Sequence, residues 1–190
     1  MNPWLAAYQA LFLPAVGGAV AGRMLALGRG QTLREGAAEL RQRLGAADAE
    51  AAARVGAGGL WLHAASVGEI AGAAALLRAL GPERKALITT STVAGRDGAR
   101  KLPQTAAAVL APMDLLPAVR RFLDGYRPRA LIVLETELWP ATLAACASRG
   151  VPFALANARL TARSFPRYRW IRPLLAPCLA RAAFFRRGVL

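Results

Sequence analysis

The sequence predicts an α/β protein whose Rossmann-like parallel sheet has flanking helices and is preceded by an apolar N-terminal helix. From residue 60 onward, short continuous apolar runs alternate with helical stretches, and this alternation is typical of βαβ units with buried parallel strands. No internal repeat or low-complexity tract competes with this interpretation. The 190 residues suffice for one full domain with its own core.

The N-terminal segment, residues 1–30, is predicted to be a membrane-associating helix. Residues 10–22 form an uninterrupted apolar run, which is shorter than the roughly 20 apolar residues that a bilayer span requires. Pro14 also weakens a plain helix there. Three interpretations stay open: a marginal signal-anchor, a helix lying among the headgroups, and a helix buried in the domain itself.

Positive charge follows the apolar run instead of preceding it, which argues against a cleaved signal peptide. The arginines that follow are Arg23, Arg29, Arg34, Arg41 and Arg43. The positive-inside bias therefore predicts that the rest of the chain faces the cytoplasm.

The remaining elements are predicted in chain order from periodicity and turn residues. Residues 31–59 are predicted to form an exposed helix over 31–55 and a glycine-rich linker, since glycines break the pattern at 56–59. Residues 60–190 are predicted to be the Rossmann-like domain. Its strands are predicted at 60–64, 85–90, 106–111, 130–134 and 152–156. Its helices are predicted at 70–80, 115–126, 137–149 and around 174–180, and a further helix after the second strand is predicted to end at residue 102.

The formal net charge of +14 indicates an anionic partner: nucleic acid, an anionic membrane or a phosphorylated substrate. Solvated arginine faces in an arginine-biased composition are the plainer explanation, since Lys85 and Lys101 are the only lysines. The sequence has neither an RNA-binding aromatic pattern nor a P-loop, so nucleic acid is not expected as a partner.

The cysteines and the histidine argue against a metal centre or a disulfide scaffold. Cys146 and Cys178 lie far apart without a CxxC spacing, and the chain has one histidine. A Cys/His metal site is therefore not expected. The cysteines instead fit a reducing, cytoplasmic setting.

Two of the eleven acidic residues stand directly after predicted strands. Glu69 follows the run at 60–64, and Glu135 follows the run at 130–134. Because ligands of such sheets bind beyond the carboxyl ends of the strands, both side chains are expected to project into one crevice. Glu69 also opens a helix, whose dipole favours an ionised carboxylate, as a general base requires. The alternative stays open that Glu69 only caps its helix and Glu135 pairs with an arginine.

Three motifs resemble one family closely. They are WLHAASVGEI (61–70), TTSTVAGRDGARKL (89–102) and LIVLETELWPATLAACASRGVPFALANARLTARS (131–164). In this order and at these distances they are similar to the N-terminal domain of 3-deoxy-D-manno-octulosonic acid (Kdo) transferases.

The resemblance implies the N-terminal, acceptor-binding half of a GT-B glycosyltransferase. Such enzymes transfer Kdo from CMP-Kdo to a lipid A precursor in lipopolysaccharide biosynthesis, with inversion and without a metal or other cofactor. The implied location is the cytoplasmic face of the inner membrane. The implied partners are the lipid A precursor, CMP-Kdo and the membrane surface.

The resemblance also implies roles for individual residues. Glu69 would be the general base on the acceptor hydroxyl, and Glu135 would support the transition state, since a carboxylate offsets positive charge at an oxocarbenium-like centre. The implied acceptor-binding residues are Ser66, Gly68, Asn157, Arg159 and Arg163. A solvated face is an alternative for Arg163, and His63 is expected to be mainly structural.

The chain ends at Leu190, where the family's pattern would continue into a second domain. We therefore expect the donor domain, with most of the CMP-Kdo site, to be absent, and the chain alone to be inactive. Two other functions stay open: a non-catalytic basic module that binds phosphorylated lipid at a membrane, and a GT-B enzyme with a different nucleotide sugar.

Overall fold

The computed structural model describes residues 2–26, 33–158, 165–180 and 184–187. Within them, six parallel strands form one sheet: β1 (Leu60–His63), β2 (Ala86–Thr90), β3 (Thr105–Leu110), β4 (Ala130–Leu134), β5 (Phe153–Ala158) and β6 (Phe184–Arg187). The helices before the sheet are α1 (Pro3–Ala26), α2 (Leu33–Arg43) and α3 (Ala49–Val55). The helices between and after the strands are α4 (Val67–Leu80), α5 (Val93–Ala99), α6 (Leu116–Tyr126), α7 (Pro140–Ser148), α8 (Phe165–Trp170) and α9 (Arg172–Leu179).

The strand order is β3-β2-β1-β4-β5-β6, which confirms the predicted Rossmann-like sheet. The chain builds outward from β1 to β3 and then crosses back, so that β4 pairs with β1 on its other side. Sheets of this order bind ligands outside the carboxyl ends of the strands where the order reverses. That point lies here between β1 and β4.

Helices cover both faces of the sheet, and alternate residues of each strand serve opposite faces. Trp61 and Leu131 belong to a buried cluster that includes side chains of α1, α3, α6, α7 and α9. Leu62 and Ile88 belong to a second buried cluster with side chains of α4 and α5. Burial on both faces explains why the strands are continuous apolar runs in the sequence.

The prediction of one exposed helix over 31–55 is wrong. The described part of this segment forms two helices, α2 and α3, separated by a turn in which Gly45 has φ of 77°. A side chain at Gly45 would collide with the carbonyl oxygen of Ala118, so this turn packs tightly against α6. Asp48 then caps α3 by accepting the Ala51 N–H at 2.8 Å.

The helix predicted at 137–149 begins three residues later, at Pro140. Proline disfavours helical backbone in the residue before it, and Trp139 is accordingly extended at φ −94° and ψ 104°. Residues 135–139 therefore form a loop beyond β4. The strand β6 was not predicted; it pairs with β5, and this pairing joins distant parts of the chain.

Helix α1 docks on the domain through one face of its first half. Leu5 is buried, and Gln9 donates from Nε2 to the Asp114 carbonyl at 2.9 Å and accepts the Leu116 N–H at 2.8 Å. The interpretation of a helix buried in the domain therefore holds for this face. The side chains of Trp4 and Leu11 are exposed. Among the described residues, no helix combines the length and the apolarity that crossing a membrane requires.

Candidate active site

Glu69 lies in the first turn of α4, directly beyond β1. Its Oε2 accepts the Ala65 N–H at 2.8 Å, and its Oε1 accepts a hydrogen bond from Ser66 Oγ at 2.9 Å. Both carboxylate oxygens thus have a donor, and the side chain is half-buried. The capping contact expected from the sequence is therefore present, and it holds the carboxylate at the helix N-terminus, where the dipole favours negative charge.

Glu135 is the first residue beyond β4, and its backbone is left-handed, with φ of 58°. The Glu135 N–H donates to the Ala156 carbonyl at 2.8 Å, which fixes this conformation against β5. Left-handed backbone costs a side chain other than glycine about 1 kcal/mol. Glu135 is exposed and has no ion pair within the described part of the chain, so the alternative that it pairs with an arginine is not seen there.

Glu137 joins these two glutamates to form a carboxylate cluster, which we define as Glu69, Glu135 and Glu137. Burial raises the pKa of Glu137, and the negative charges of Glu69 and Glu135 raise it further. The structure thus brings the two predicted glutamates close to one shared neighbour. Sequence reasoning missed Glu137, although its place two residues after Glu135 in the Glu-Thr-Glu motif was an available signal.

The indole N–H of Trp139 offsets part of the rise in the pKa of Glu137, because a nearby donor favours the charged carboxylate. Among the described residues, Trp139 Nε1 is nonetheless buried without a hydrogen-bond partner. We therefore treat the indole as an electrostatic neighbour of Glu137 whose donor is still available.

A cavity of about 190 Å³ lies beside the cluster, at the carboxyl edge of the sheet. Strand side chains form its floor, and the loops beyond β2 and β3, the start of α7 and Phe12 of α1 form its walls. The lining residues are Phe12, Arg43, Trp61, His63, Ser91, Ala111, Pro112, Met113, Asp114, Leu131, Val133, Glu137, Trp139, Thr142 and Leu143. Glu137 thus belongs to both the cavity and the carboxylate cluster.

His63 lies at the end of β1 and is almost fully buried. Its Nδ1 is 2.9 Å from Thr89 Oγ1, which also accepts the Trp61 indole N–H at 2.7 Å. Burial lowers the pKa of His63 to about 4, against a smaller opposing effect of the Thr89 backbone. The imidazole is therefore neutral at physiological pH. Its Nε2 has no partner among the described residues, so the expectation of a mainly structural role accounts for one ring nitrogen only.

The predicted acceptor-binding residues have different placements. Ser66 is the N-cap of α4, and Asn157, near the end of β5, is exposed with φ of 57°. Gly68 has ordinary helical backbone, and an added Cβ would meet only Ser66 Oγ at 3.8 Å. The turn therefore does not require glycine at this position. Arg159 and Arg163 lie outside the described residues.

Among residues 2–26, 33–158, 165–180 and 184–187, no three His, Cys, Asp or Glu side chains converge as metal ligands. Two glutamates at the switch point of a Rossmann-like sheet, one of them held by a helix N-terminus, suit proton transfer and charge stabilisation.

Residues 38–186 match the family model of 3-deoxy-D-manno-octulosonic acid transferase (Kdo transferase). This match covers most of the chain. The chain belongs to the Kdo transferase family. Its motif residues Glu69, Glu135 and Glu137 all fall inside the matched range.

Individual relatives agree with the family assignment. The chain is 39% identical to the 3-deoxy-D-manno-octulosonic acid transferase of Haemophilus influenzae, over 58% of this chain and 27% of the relative. It is 38% identical to that of Bordetella pertussis, over 73% of this chain and 34% of the relative. A probable mitochondrial relative from Arabidopsis thaliana is 35% identical, over 64% and 28% respectively. The chain thus spans between a quarter and about a third of each relative.

Proposed function

We propose that this chain is the acceptor-binding part of a glycosyltransferase that transfers Kdo from CMP-Kdo to a lipid A precursor in lipopolysaccharide biosynthesis. The observation that carries the proposal is the half-buried carboxylate of Glu69, held by Ala65 and Ser66 at the switch point of the sheet. Family membership supports it, because these residues lie in the motif on which the resemblance rests.

In the proposed reaction, Glu69 is the general base. The acceptor hydroxyl oxygen attacks the anomeric carbon of Kdo, its proton passes to the Glu69 carboxylate, and the bond between that carbon and the phosphate oxygen of CMP breaks. CMP leaves with the bonding electron pair, and the configuration at the anomeric carbon inverts. A carboxylate whose two oxygens are already oriented by donors loses little freedom in this step.

The role proposed for Glu135 is electrostatic. Positive charge develops at the anomeric carbon as the bond to CMP breaks, and an exposed carboxylate at the sheet edge offsets it. Its left-handed backbone supports this assignment, since conformations that cost free energy cluster at functional sites. No metal or other cofactor is needed for either step.

We further propose that the acceptor's phosphates are held by Asn157, Arg159 and Arg163, with Ser66 and Gly68 near the attacking hydroxyl. Arginine guanidinium groups bind phosphate oxygens in pairs, which suits an acceptor with phosphorylated sugars. The open space around Gly68 leaves room for a bound sugar to approach the start of α4.

We propose attachment to the cytoplasmic face of the inner membrane through α1 and α8, which both contact α9. Large apolar side chains are exposed on these two helices: Trp4, Leu11 and Leu13 on α1, and Phe165 and Trp170 on α8. Trp170 is 90% exposed, which is unusual for tryptophan unless it meets a partner or a lipid surface. The charge of +14 favours an anionic lipid surface.

Two measurements test the proposal. The first measures binding of the chain to phosphorylated lipid A precursor, to a dephosphorylated precursor and to an unrelated anionic lipid. The second measures Kdo transfer after the chain is joined to the C-terminal portion of the Bordetella pertussis relative. We expect selective binding of the phosphorylated precursor, and loss of at least a hundredfold in transfer for Glu69→Ala.

The contrary outcomes are distinct. Equal binding to all anionic lipids, together with no transfer in the joined protein, would favour the alternative of a non-catalytic basic module at the membrane. Full transfer by Glu69→Ala would contradict the assignment of the base while leaving the glycosyltransferase function intact. Exposed Glu50→Ala, in α3, is the matched control for loss of one glutamate.

A further inference from the structure

We propose that the cavity beside Glu137 binds an acyl chain of the acceptor, with His63 Nε2–H and Trp139 Nε1–H donating hydrogen bonds to an uncharged oxygen on that chain. The ligand class is an apolar chain bearing a carbonyl or hydroxyl group. This inference rests on the proposed function, because an acylated acceptor is what that function supplies. It adds a second binding region to the cluster at which the reaction is proposed to occur.

The proposal places the proton of the neutral His63 ring on Nε2, with Nδ1 facing the Thr89 hydroxyl. The Trp61 indole can only donate, so Thr89 Oγ1 accepts from it at 2.7 Å. In the proposed arrangement, the Thr89 hydroxyl donates its own proton to His63 Nδ1, which lies 2.9 Å from Thr89 Oγ1. A neutral imidazole that accepts at Nδ1 carries its proton on Nε2, which makes Nε2 a donor.

Two buried donors of the cavity lining thus have no partner in the described part of the chain: His63 Nε2 and Trp139 Nε1. A buried donor without an acceptor costs about 1–3 kcal/mol, so proteins seldom keep two in one cavity without a ligand or water. An indole N–H never loses its proton, and the imidazole stays neutral. Since the lining around these donors is mostly apolar and disfavours a buried charge, the pair suits a neutral oxygen acceptor.

The rest of the lining selects an apolar ligand. Trp61, Leu131, Val133, Leu143, Met113 and Phe12 surround the donors. The volume of about 190 Å³ compares with an engineered apolar cavity of about 150 Å³ that binds benzene. It therefore accommodates roughly seven or eight heavy atoms, which is the size of one segment of an acyl chain and too small for a sugar disaccharide.

The position of the cavity argues for the acceptor as its occupant. Glu137 lines the cavity and feels the charges of Glu69 and Glu135, so the cavity adjoins the carboxylate cluster. Phe12 also lines the cavity and belongs to α1, whose neighbouring Leu11 and Leu13 are exposed. A ligand in this cavity thus touches both a member of the carboxylate cluster and the helix whose apolar side chains are proposed to meet the lipid surface.

The test uses the full chain and two small probes of equal size, 2-heptanone and n-octane. The chain has a single histidine, so ¹⁵N-histidine labelling gives one imidazole whose Nε2–H signal reports on the cavity directly. We expect the free chain to show the neutral Nε2–H tautomer, and 2-heptanone to shift the Nε2–H signal in a saturable manner. n-Octane, which has no acceptor, should bind more weakly and leave this signal nearly unmoved.

Variants distinguish binding of the probes in the cavity from binding at the exposed surface. Trp139→Phe should weaken 2-heptanone binding roughly three- to tenfold, as expected for one lost hydrogen bond. Trp170→Phe, at a side chain that is 90% exposed, is the matched control and should leave binding unchanged. Ala111→Leu, which fills part of the cavity, should weaken both probes. If this variant fails to fold, the response of the wild-type imidazole still decides.

Three outcomes overturn the proposal: an Nδ1–H tautomer, equal binding of the two probes, or no saturable binding of either. A final arm tests the occupant by competition. Acylated lipid A precursor should displace 2-heptanone, whereas the deacylated phosphorylated disaccharide should not. Displacement by neither compound would overturn the acyl assignment. Because no arm requires Kdo transfer or Glu69, failure here is distinguishable from failure of the proposed function.

Discussion

Ser66 Oγ donates a hydrogen bond of 2.9 Å to Oε1 of Glu69 across the first turn of α4. The N-cap hydroxyl thus orients the side chain three residues ahead and makes no cap bond to the helix backbone itself. Glu69 Oε2 is held separately by the Ala65 N–H at 2.8 Å. The proposed base is therefore positioned by the two residues that directly precede α4.

Ser66→Ala removes one of the two donors to Glu69. We expect the free energy of unfolding to fall by about 1 kcal/mol, as for loss of one partly buried side-chain hydrogen bond. In the joined protein, we expect Kdo transfer to fall through kcat more than through KM, because orientation of the base is weakened. Urea unfolding and steady-state kinetics measure these effects. Ser66→Thr, which keeps the hydroxyl, is the control; equal kinetics of Ala and Thr variants would refute the positioning role.

Glu135→Gly should abolish Kdo transfer without lowering the stability of the fold. Glycine adopts left-handed backbone without the cost that Glu135 bears at φ of 58°. The free energy of unfolding should therefore stay constant or rise by up to about 1 kcal/mol, while transfer in the joined protein is lost. Glu135→Gln keeps the backbone cost and removes only the charge, so it should lose transfer without gaining stability. A clear loss of stability in the glycine variant would show that the conformation carries no strain.

His63 should make the protein less stable in acid. Its pKa is lowered from an unfolded value near 6.5 to about 4, so between these values the unfolded chain binds the extra proton. The stability that the neutral ring contributes is therefore fully present above pH 6.5 and is lost as the pH falls toward 4. We expect the free energy of unfolding of the wild type to fall by about 3 kcal/mol more than that of His63→Gln between pH 7 and pH 4.

Urea unfolding of both proteins across this range measures the difference. Carboxylates with raised pKa, Asp114 and Glu137, act with the opposite sign in the same window, but they are common to both proteins and cancel in the comparison. Parallel curves for wild type and His63→Gln would show that the imidazole is not held neutral by burial.

Glu137→Gln should stabilise the protein at neutral pH. The pKa of Glu137 is raised by burial and by the neighbouring glutamates, so its ionisation disfavours the folded state. The glutamine variant should thus have the higher melting temperature at pH 7. The difference should shrink as the pH falls through the raised pKa, where wild-type Glu137 takes up its proton. A difference independent of pH would contradict the electrostatic cause.

Gln9→Ala should loosen the attachment of α1. The side-chain amide satisfies the Asp114 carbonyl and the Leu116 N–H at the start of α6, and its removal leaves both without that partner. We expect faster amide hydrogen exchange throughout the first half of α1, and a loss of about 1–2 kcal/mol in unfolding free energy. Leu11→Ala, at an exposed position of the same helix, should leave exchange in this half unchanged.

Much of the fold could be predicted from local patterns. The strand predicted at 130–134 agrees with β4 residue by residue, and the other four predicted strands agree within two residues at each end. Burial on both faces makes each strand a continuous apolar run, which is visible without knowledge of its partners. Two helix boundaries were predicted wrongly, at the turn containing Gly45 and before Pro140. The proline could have indicated the later helix start, whereas the tight packing of Gly45 on Ala118 depends on a distant helix.

The candidate site divides in the same way. The sequence alone placed Glu69 and Glu135 at one edge, because the carboxyl ends of parallel strands necessarily meet there. Only the tertiary structure decided three features: that the charges of Glu69 and Glu135 act on Glu137, that His63 Nε2 and Trp139 Nε1 are buried in one cavity without a partner among the described residues, and that α1 docks through Gln9. The residues at which strands end follow from the local periodicity of the sequence. The direction, burial and partners of a side chain depend on which distant elements pack against it, and no local pattern specifies that.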